Sequence, residues 1–364
     1  MIRAAGIKIN VSTHQQQYVA GDLVEGLVQL DVAAKHAEGI SAEMLTLKFR
    51  GHAKTVVPYE SGGGKHGENK TTNFARATEE LVSCDVQLAS FAGIAACGTH
   101  VIPFSVMLPP GLPSSMKAIR GQGSCEIVYE FKARLHRRGM FNFDAKGDAT
   151  IAVFAQREEV AATPVTIGPE VQNVRLCCCF KKGTMSIGFE AERSVATMNE
   201  PLGVTVVARN GSSCEVEAVF VKIKEVIAWR AQNHSQSLTR TVASIIVPGS
   251  QLGDLQRAAE KGGNRGRDPA AVADATRRDL QEMLVSGAGT KYNLVVPQGC
   301  NTTMKIGILE VTHTLSVKLK TPTFISSPEV GIPLRVQQSA GGLEQPNPAQ
   351  FVPSSTQEAL HYGG

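Results

Sequence analysis

From Cys125 to His136 the chain alternates without a break. Cys125, Ile127, Tyr129, Phe131, Ala133 and Leu135 fall on one side, and Glu130, Lys132, Arg134 and His136 on the other. A period of two is that of a strand with one dry face and one wet face. The same pattern recurs at Leu45, Leu47 and Phe49, at Val219, Val221 and Ile223, and from Leu309 through Val311, His313, Leu315 and Val317 to Leu319. Repeated half-buried strands predict antiparallel sheets packed face to face, an all-β fold of immunoglobulin-like β-sandwiches. Gly98 to Met107 alternates too, but it contains Pro103 and runs into Pro109, Pro110 and Pro113. Proline cannot donate to a ladder, so this strand is predicted at a sheet edge, followed by a braced crossover.

The alternation fails between residues 156 and 173, where Pro164 and Pro169 stand. This stretch is predicted as a linker between two tandem sandwiches, residues 1–155 and 174–336. YVAGDLVEGLVQLDV near the start and MNEPLGVTVVARN after the linker echo each other, each with an acidic residue at a turn before a long strand. A duplicated sandwich would leave that trace. Residues 58–73 are rich in glycine and charge and read as a loop. Residues 249–292 form a polar insertion in the second domain, expected to join neither core. A helix is predicted near residues 268–285, with Asp268 as cap, Pro269 in the first turn, and Val272, Leu280, Met283 and Leu284 on one face. The tail, residues 337–364, is rich in Pro, Gly and Ser and is expected to be disordered.

Length and composition sharpen this picture modestly. A chain of 364 residues, 42% apolar and 19% charged, suits two domains better than one. A net charge of +4 permits contact with phosphate-bearing partners but does not mark a nucleic-acid binder, and none is expected. The first residues, MIRAAGIKINVSTHQQ, lack the apolar segment of a signal peptide, and the weakly polar run from Ala89 to Cys97 is far short of the ~20 residues that span a bilayer. The expected location is therefore cytoplasmic, with the eight cysteines as free thiols.

Several motifs together resemble the arrestin-fold family, closest to the alpha-arrestin or arrestin domain-containing group. Tyr18-Val19-Ala20-Gly21-Asp22-Leu23-Val24-Glu25-Gly26 is similar to that family's approach to its first long strands. Gly98, His100, Pro103-Phe104, Leu108-Pro109 and Leu112-Pro113-Ser114-Ser115 match its G-x-H-x-x-P-F-x-x-x-L-P-x-x-L-P-S-S pattern, and Ile127-Val128-Tyr129 the strand after it. Val311, His313, Leu315 and Val317 resemble a late strand of its second domain. The resemblance implies a non-enzymatic adaptor that grips the cytoplasmic tails of membrane proteins and links them to endocytic or ubiquitination machinery. It places the protein in the cytoplasm, peripherally on endosomal or plasma membranes. Gln17 stands where visual and beta arrestins carry an acidic residue of a phosphate-sensing core, which argues against a switch of that type. No PPxY motif for recruiting a ubiquitin ligase is present. The alternative reading is a subunit of a retromer-like sorting complex, which needs no such motif.

The candidate chemistry is sparse. Lys132, Arg134 and His136 share one strand face, continued by Arg137 and Arg138, with Lys222 and Lys224 as a counterpart in the second domain. These are the candidate sites for acidic or phosphorylated tails or for acidic lipid headgroups. Cys177, Cys178 and Cys179 cannot converge on one ion from a strand, because adjacent side chains alternate in direction. Buried thiols are the plain reading, and S-acylation beside Lys181 and Lys182 is the alternative. His313 falls on an apolar face and reads as a hydrogen-bonded core residue. No catalytic residue, cofactor or metal ligand is assigned: the sequence lacks a nucleophile elbow, a phosphate-cradling loop and a zinc-helix motif. A Cys/His hydrolase is the best enzyme alternative that can be framed.

Overall fold

The protein is described from a computed structural model that covers residues 6–36, 38–61, 71–137, 144–159, 163–176, 180–249 and 269–339. Arg138 and the Cys177–Cys179 run lie outside the described residues. The first domain comprises β1 (Ile7–Thr13), β2 (Gln17–Val19), β3 (Leu23–Val32), β4 (Ile40–Ser61), β5 (Thr71–Ala95), β6 (Gly98–Met107), β7 (Met116–Arg120), β8 (Gly123–His136) and β9 (Ala145–Phe154). The second comprises β10 (Val165–Leu176), β11 (Phe180–Ala191), β12 (Val195–Thr197), β13 (Pro201–Ser212), β14 (Ala218–Ala231), β15 (His234–Pro248), α1 (Pro269–Val285), β16 (Thr290–Val295), β17 (Met304–Lys305), β18 (Leu309–Lys320) and β19 (Glu329–Gln337). Each domain is a two-sheet sandwich. In the first, the sheet β1-β3-β6 faces β2-β9-β8-β4-β5, with β7 on β8; in the second, β10-β11-β13-β16 faces β12-β19-β18-β14-β15, with β17 on β18.

The internal echo is a shared topology. β2 pairs in parallel with β9, then turns at once into β3; β12 pairs in parallel with β19, then turns into β13. In the first turn the Asp22 carboxylate accepts from the Val19 amide at 2.7 Å, and the Asp22 amide donates to Val19 at 2.9 Å. Gly21 has φ +96°, open to glycine at no steric cost. Gly26 has a different reason: a Cβ there would stand 2.3 Å from the Ser12 carbonyl and 2.5 Å from the Phe104 ring. Only glycine lets β1, β3 and β6 pack so closely.

β6 is the edge strand that Pro103 requires. Val101, Pro103, Ser105 and Met107 are exposed, while Phe104, Val106 and Leu108 are buried. The crossover after it is braced by hydrogen bonds. Tyr129 donates its hydroxyl to Pro113 at 2.7 Å, Ser115 accepts from the Val153 amide at 3.0 Å, and Ser114 accepts from the Ala155 amide at 2.9 Å. Its serines fasten the end of β9, and Pro113 ties it to β8. The first core is centred on Phe49, Phe104, Tyr129 and Phe131, with Phe131 centroids 4.9 Å from Phe49 and 5.3 Å from Phe104. Each such ring contributes about 1.5–3 kcal/mol by leaving water.

Three sequence boundaries are corrected. β4 continues to Ser61 and β5 begins at Thr71, because the antiparallel ladder carries polar residues where no core requires apolar ones. β10 starts at Val165 and pairs with β11, so much of the 156–173 stretch is strand; Pro164 and Pro169 are tolerated because β10 is an edge. The 249–292 insertion is not wholly peripheral either. Leu280 and Leu284 of α1 are buried with Val207 of β13, Arg209 pairs with Asp279 at 3.1 Å, and β16 begins inside the insertion and pairs with β13. Leu280→Ala with Leu284→Ala is expected to detach α1 and cost about 2–5 kcal/mol, read as lost amide protection in β13. Unchanged protection would return the helix to a peripheral role.

Candidate functional site

The open face of the first domain's larger sheet forms a groove of about 1940 Å³, bounded by β1, the end of β3, β4, β8 and the start of β9. Alternation along β8 turns Lys132, Arg134 and His136 into it, since the opposite face carries Phe131, Ala133 and Leu135 in the core. Lys8, Lys48 and Lys146 join them from β1, β4 and β9. The cations are not a bare ladder. Lys132 meets Glu130 at 2.5 Å, Arg134 Nε donates to Asp144 at 2.5 Å, and Lys48 stands 3.5 Å from Asp85. His136 Nε2 is 3.0 Å from the Thr46 hydroxyl. The Arg137 amide donates to Asp144 at 3.2 Å, and its Nε to the Ser41 carbonyl at 3.3 Å. Glu130 also lies 3.8 Å from the buried His52. Burial, followed by the field of Lys54, lowers the His52 pKa and keeps the ring neutral.

Lys132 and Arg134 are about half exposed, whereas their partners Glu130 and Asp144 are 15% and 17% exposed, so the cations face solvent and the acids lie behind them. An incoming phosphate or carboxylate can reach both cations from the solvent side. Sequence reasoning placed the β8 cations together but missed Lys8, Lys48 and Lys146, and the acids that hold the ladder. Glu130 was legible, two residues before Lys132 on the same face. In the second domain Lys222 lies 4.1 Å over the Phe220 ring, and Lys224 pairs with Glu329 at 2.6 Å.

A second polar cluster lies at the domain junction. The inward face of β14 runs Val221, Ile223, Glu225, Ile227, Trp229 and Ala231. Val221 and Ile223 belong to the second core, while Ile227, Trp229 and Ala231 belong to the first. β18 behaves identically: Leu315 and Val317 serve the second core, Leu309 and Val311 the first, and His313 falls between. Glu225 is the ladder partner of both Arg240 on β15 and His313 on β18, so one rung forms a polar layer between two cores.

Within that layer Arg240 Nε donates to Glu225 Oε2 at 2.5 Å, and the Asn301 amide donates to Oε1 at 3.0 Å. Burial works against the Glu225 charge, but bonds from His313, Arg240 and Asn301 overcome it and hold its pKa down to about 2. The Cys300 thiol is pushed up by burial and by Glu225. The Thr303 hydroxyl accepts from the Val336 amide at 2.8 Å, leaving its own proton for His313 Nδ1 at 2.8 Å. His313 Nε2–H then points toward Glu225. Next to Cys300, the buried Thr302 bonds Ser114 of the first domain's crossover at 3.1 Å. Other bonds cross the same junction. Trp229 donates its indole N–H to Val56 at 3.2 Å, Thr55 donates to Arg230 at 2.7 Å, and Glu79 accepts from Gly307 and Ile308 at 3.1 and 2.9 Å. Gln17 forms no counterpart to this layer, its buried Oε1 having no hydrogen-bond partner among the described residues.

No helix among the described residues is long and apolar enough to cross a membrane. Residues 7–156 match the family described as the N-terminal domain of arrestin (or S-antigen). The arrestin domain-containing protein A of Dictyostelium discoideum is 28% identical over 138 residues, covering 35% of this chain and 23% of that protein. Two tandem sandwiches and a braced Pro-Ser crossover agree with an arrestin fold, and its first domain, residues 7–156, matches the arrestin N-terminal domain family.

Proposed function

We propose that the protein is a non-enzymatic adaptor that holds acidic or phosphorylated segments of membrane-protein tails in the first domain's groove. The observation that carries this reading is the set of half-exposed cations around it, Lys48, Lys132 and Arg134, each facing an acid that an incoming anion could displace. A tail bearing phosphates would replace Glu130 and Asp144 with stronger, bidentate acceptors. The described Cys–His contact does not favour a thiol hydrolase: Cys300 is buried, and its thiol is held protonated. Delivery of the bound tail to endocytic or ubiquitination machinery is the corresponding cellular role.

Lys132→Glu with Arg134→Glu is expected to abolish binding to a phosphorylated tail peptide without unfolding the domain. Asp144→Asn, which releases Arg134, is expected to tighten it several-fold, by about 1 kcal/mol or less. Fluorescence anisotropy across a salt series measures both, and binding should weaken as salt rises. Equal affinity for all three proteins would reduce the groove cations to ordinary surface charge. Pelleting with anionic vesicles separates a lipid ligand from a peptide one.

A further inference from the structure

Glu225, Cys300 and His313 are buried, and one ligand atom of each closes a small triangle. Cys300 Sγ lies 3.4 Å from Glu225 Oε1 and 3.4 Å from His313 Nε2, and His313 Nε2 lies 3.5 Å from Glu225 Oε1. The geometry points to a tetrahedral site for a zinc-class divalent cation, with these three atoms as protein ligands. Zinc bonds of about 2.0–2.1 Å to nitrogen and oxygen and about 2.3 Å to sulfur set tetrahedral edges of roughly 3.3 Å for N···O and roughly 3.5 Å to sulfur. Each observed edge agrees within about 0.2 Å, the tolerance such sites allow. One nitrogen, one oxygen and one sulfur is a donor set that suits a borderline-soft ion.

The surrounding residues orient the ligands. Arg240 holds Glu225 by Oε2 at 2.5 Å and touches Oε1 at 3.3 Å, both Asn301 nitrogens steady Oε1 on the triangle at 3.0 and 3.2 Å, and Thr303 fixes the His313 ring through Nδ1 at 2.8 Å. Without metal, the Cys300 S–H and the His313 Nε2–H both lie within the triangle, and the cation takes their place. Cys300–SH plus M²⁺ gives Cys300–S⁻–M²⁺ and one proton released to solvent. His313 moves its proton from Nε2 to Nδ1 and keeps it there, and the Thr303 hydroxyl rotates its own proton away to accept the Nδ1–H bond, with no net change. A water would complete the tetrahedron from the side of Arg240, whose side chain is 41% exposed. Thiolate and carboxylate then balance the ion, and Arg240 keeps its charge at the solvent edge. Since Thr302 of the same loop bonds Ser114, an occupied site would stiffen the domain junction.

The test is titration of the chelator-treated full chain with Co²⁺. The expected result is one ion per chain, visible tetrahedral d–d bands and a near-ultraviolet thiolate charge-transfer band, with one proton released. Cys300→Ser should remove the charge-transfer band, and Thr303→Val, which frees the His313 ring and also the Val336 amide, should weaken affinity about 10- to 100-fold. Cd²⁺ bound to the unmodified chain, read by ¹¹³Cd NMR, should report one sulfur ligand even if a variant fails to fold. No Co²⁺ uptake, a cadmium shift of several sulfurs, or a band that survives Cys300→Ser but vanishes when Cys177–Cys179 are replaced would overturn the site.

Discussion

Trp229→Ala is expected to lower the unfolding free energy by about 3–5 kcal/mol and to loosen one domain from the other. Trp229 is 2% exposed and belongs, by chain position, to the second domain, yet it packs in the first domain's core with Ile227 and Leu309. Its removal leaves a cavity between domains and strands the Val56 carbonyl that its indole N–H satisfies. Thr55 to Arg230 and the Glu79 carboxylate on Gly307 and Ile308 remain, so the junction should become mobile without separating. Chemical denaturation gives the free energy, and limited proteolysis between residues 155 and 165 reports the loosening. A cost under about 1 kcal/mol, with proteolysis unchanged, would show that the two cores meet without this anchor.

Glu225→Leu comes next, at about 3–5 kcal/mol measured in the presence of chelator, so that only the hydrogen-bonded node is read. The carboxylate is fully buried and serves the Arg240 guanidinium and both nitrogens of Asn301. Leucine satisfies none of them, and it leaves a cation at the edge of two apolar cores. Arg240→Leu is expected to cost less, because Glu225 would keep the Asn301 donors and His313, and Arg240 itself is 41% exposed. The double replacement should recover much of the loss, since a pair removed together strands no charge. Equal costs for the two single variants would mean that burial does not set the asymmetry.

The same layer shows where reading the sequence stops. Alternation along β14 and β18 states which side chains share a face, but not which sheet that face meets. Ile223 and Ile227 look equivalent in the sequence and serve different cores. His313 reads as a hydrogen-bonded core histidine on its own strand, yet Glu225 and Cys300 reach it only through strand pairing and the fold of the 296–303 loop. Likewise Lys132 and Arg134 point outward by period alone, whereas Asp144 meets Arg134 only because β9 returns alongside β8.

The sequence by itself determined the half-buried strands, the edge position of β6, the tandem repetition and the apolar face of α1. Those features rest on local rules: a period of two, a missing proline N–H, a glycine at positive φ, a period near 3.6. Only the tertiary structure decided the groove with its exchangeable ion pairs, the docking of Leu280 and Leu284 on Val207, and the Glu225 layer between the cores. Each of these depends on distances between residues far apart in the chain. Such distances follow from sheet register and packing, which no local pattern records.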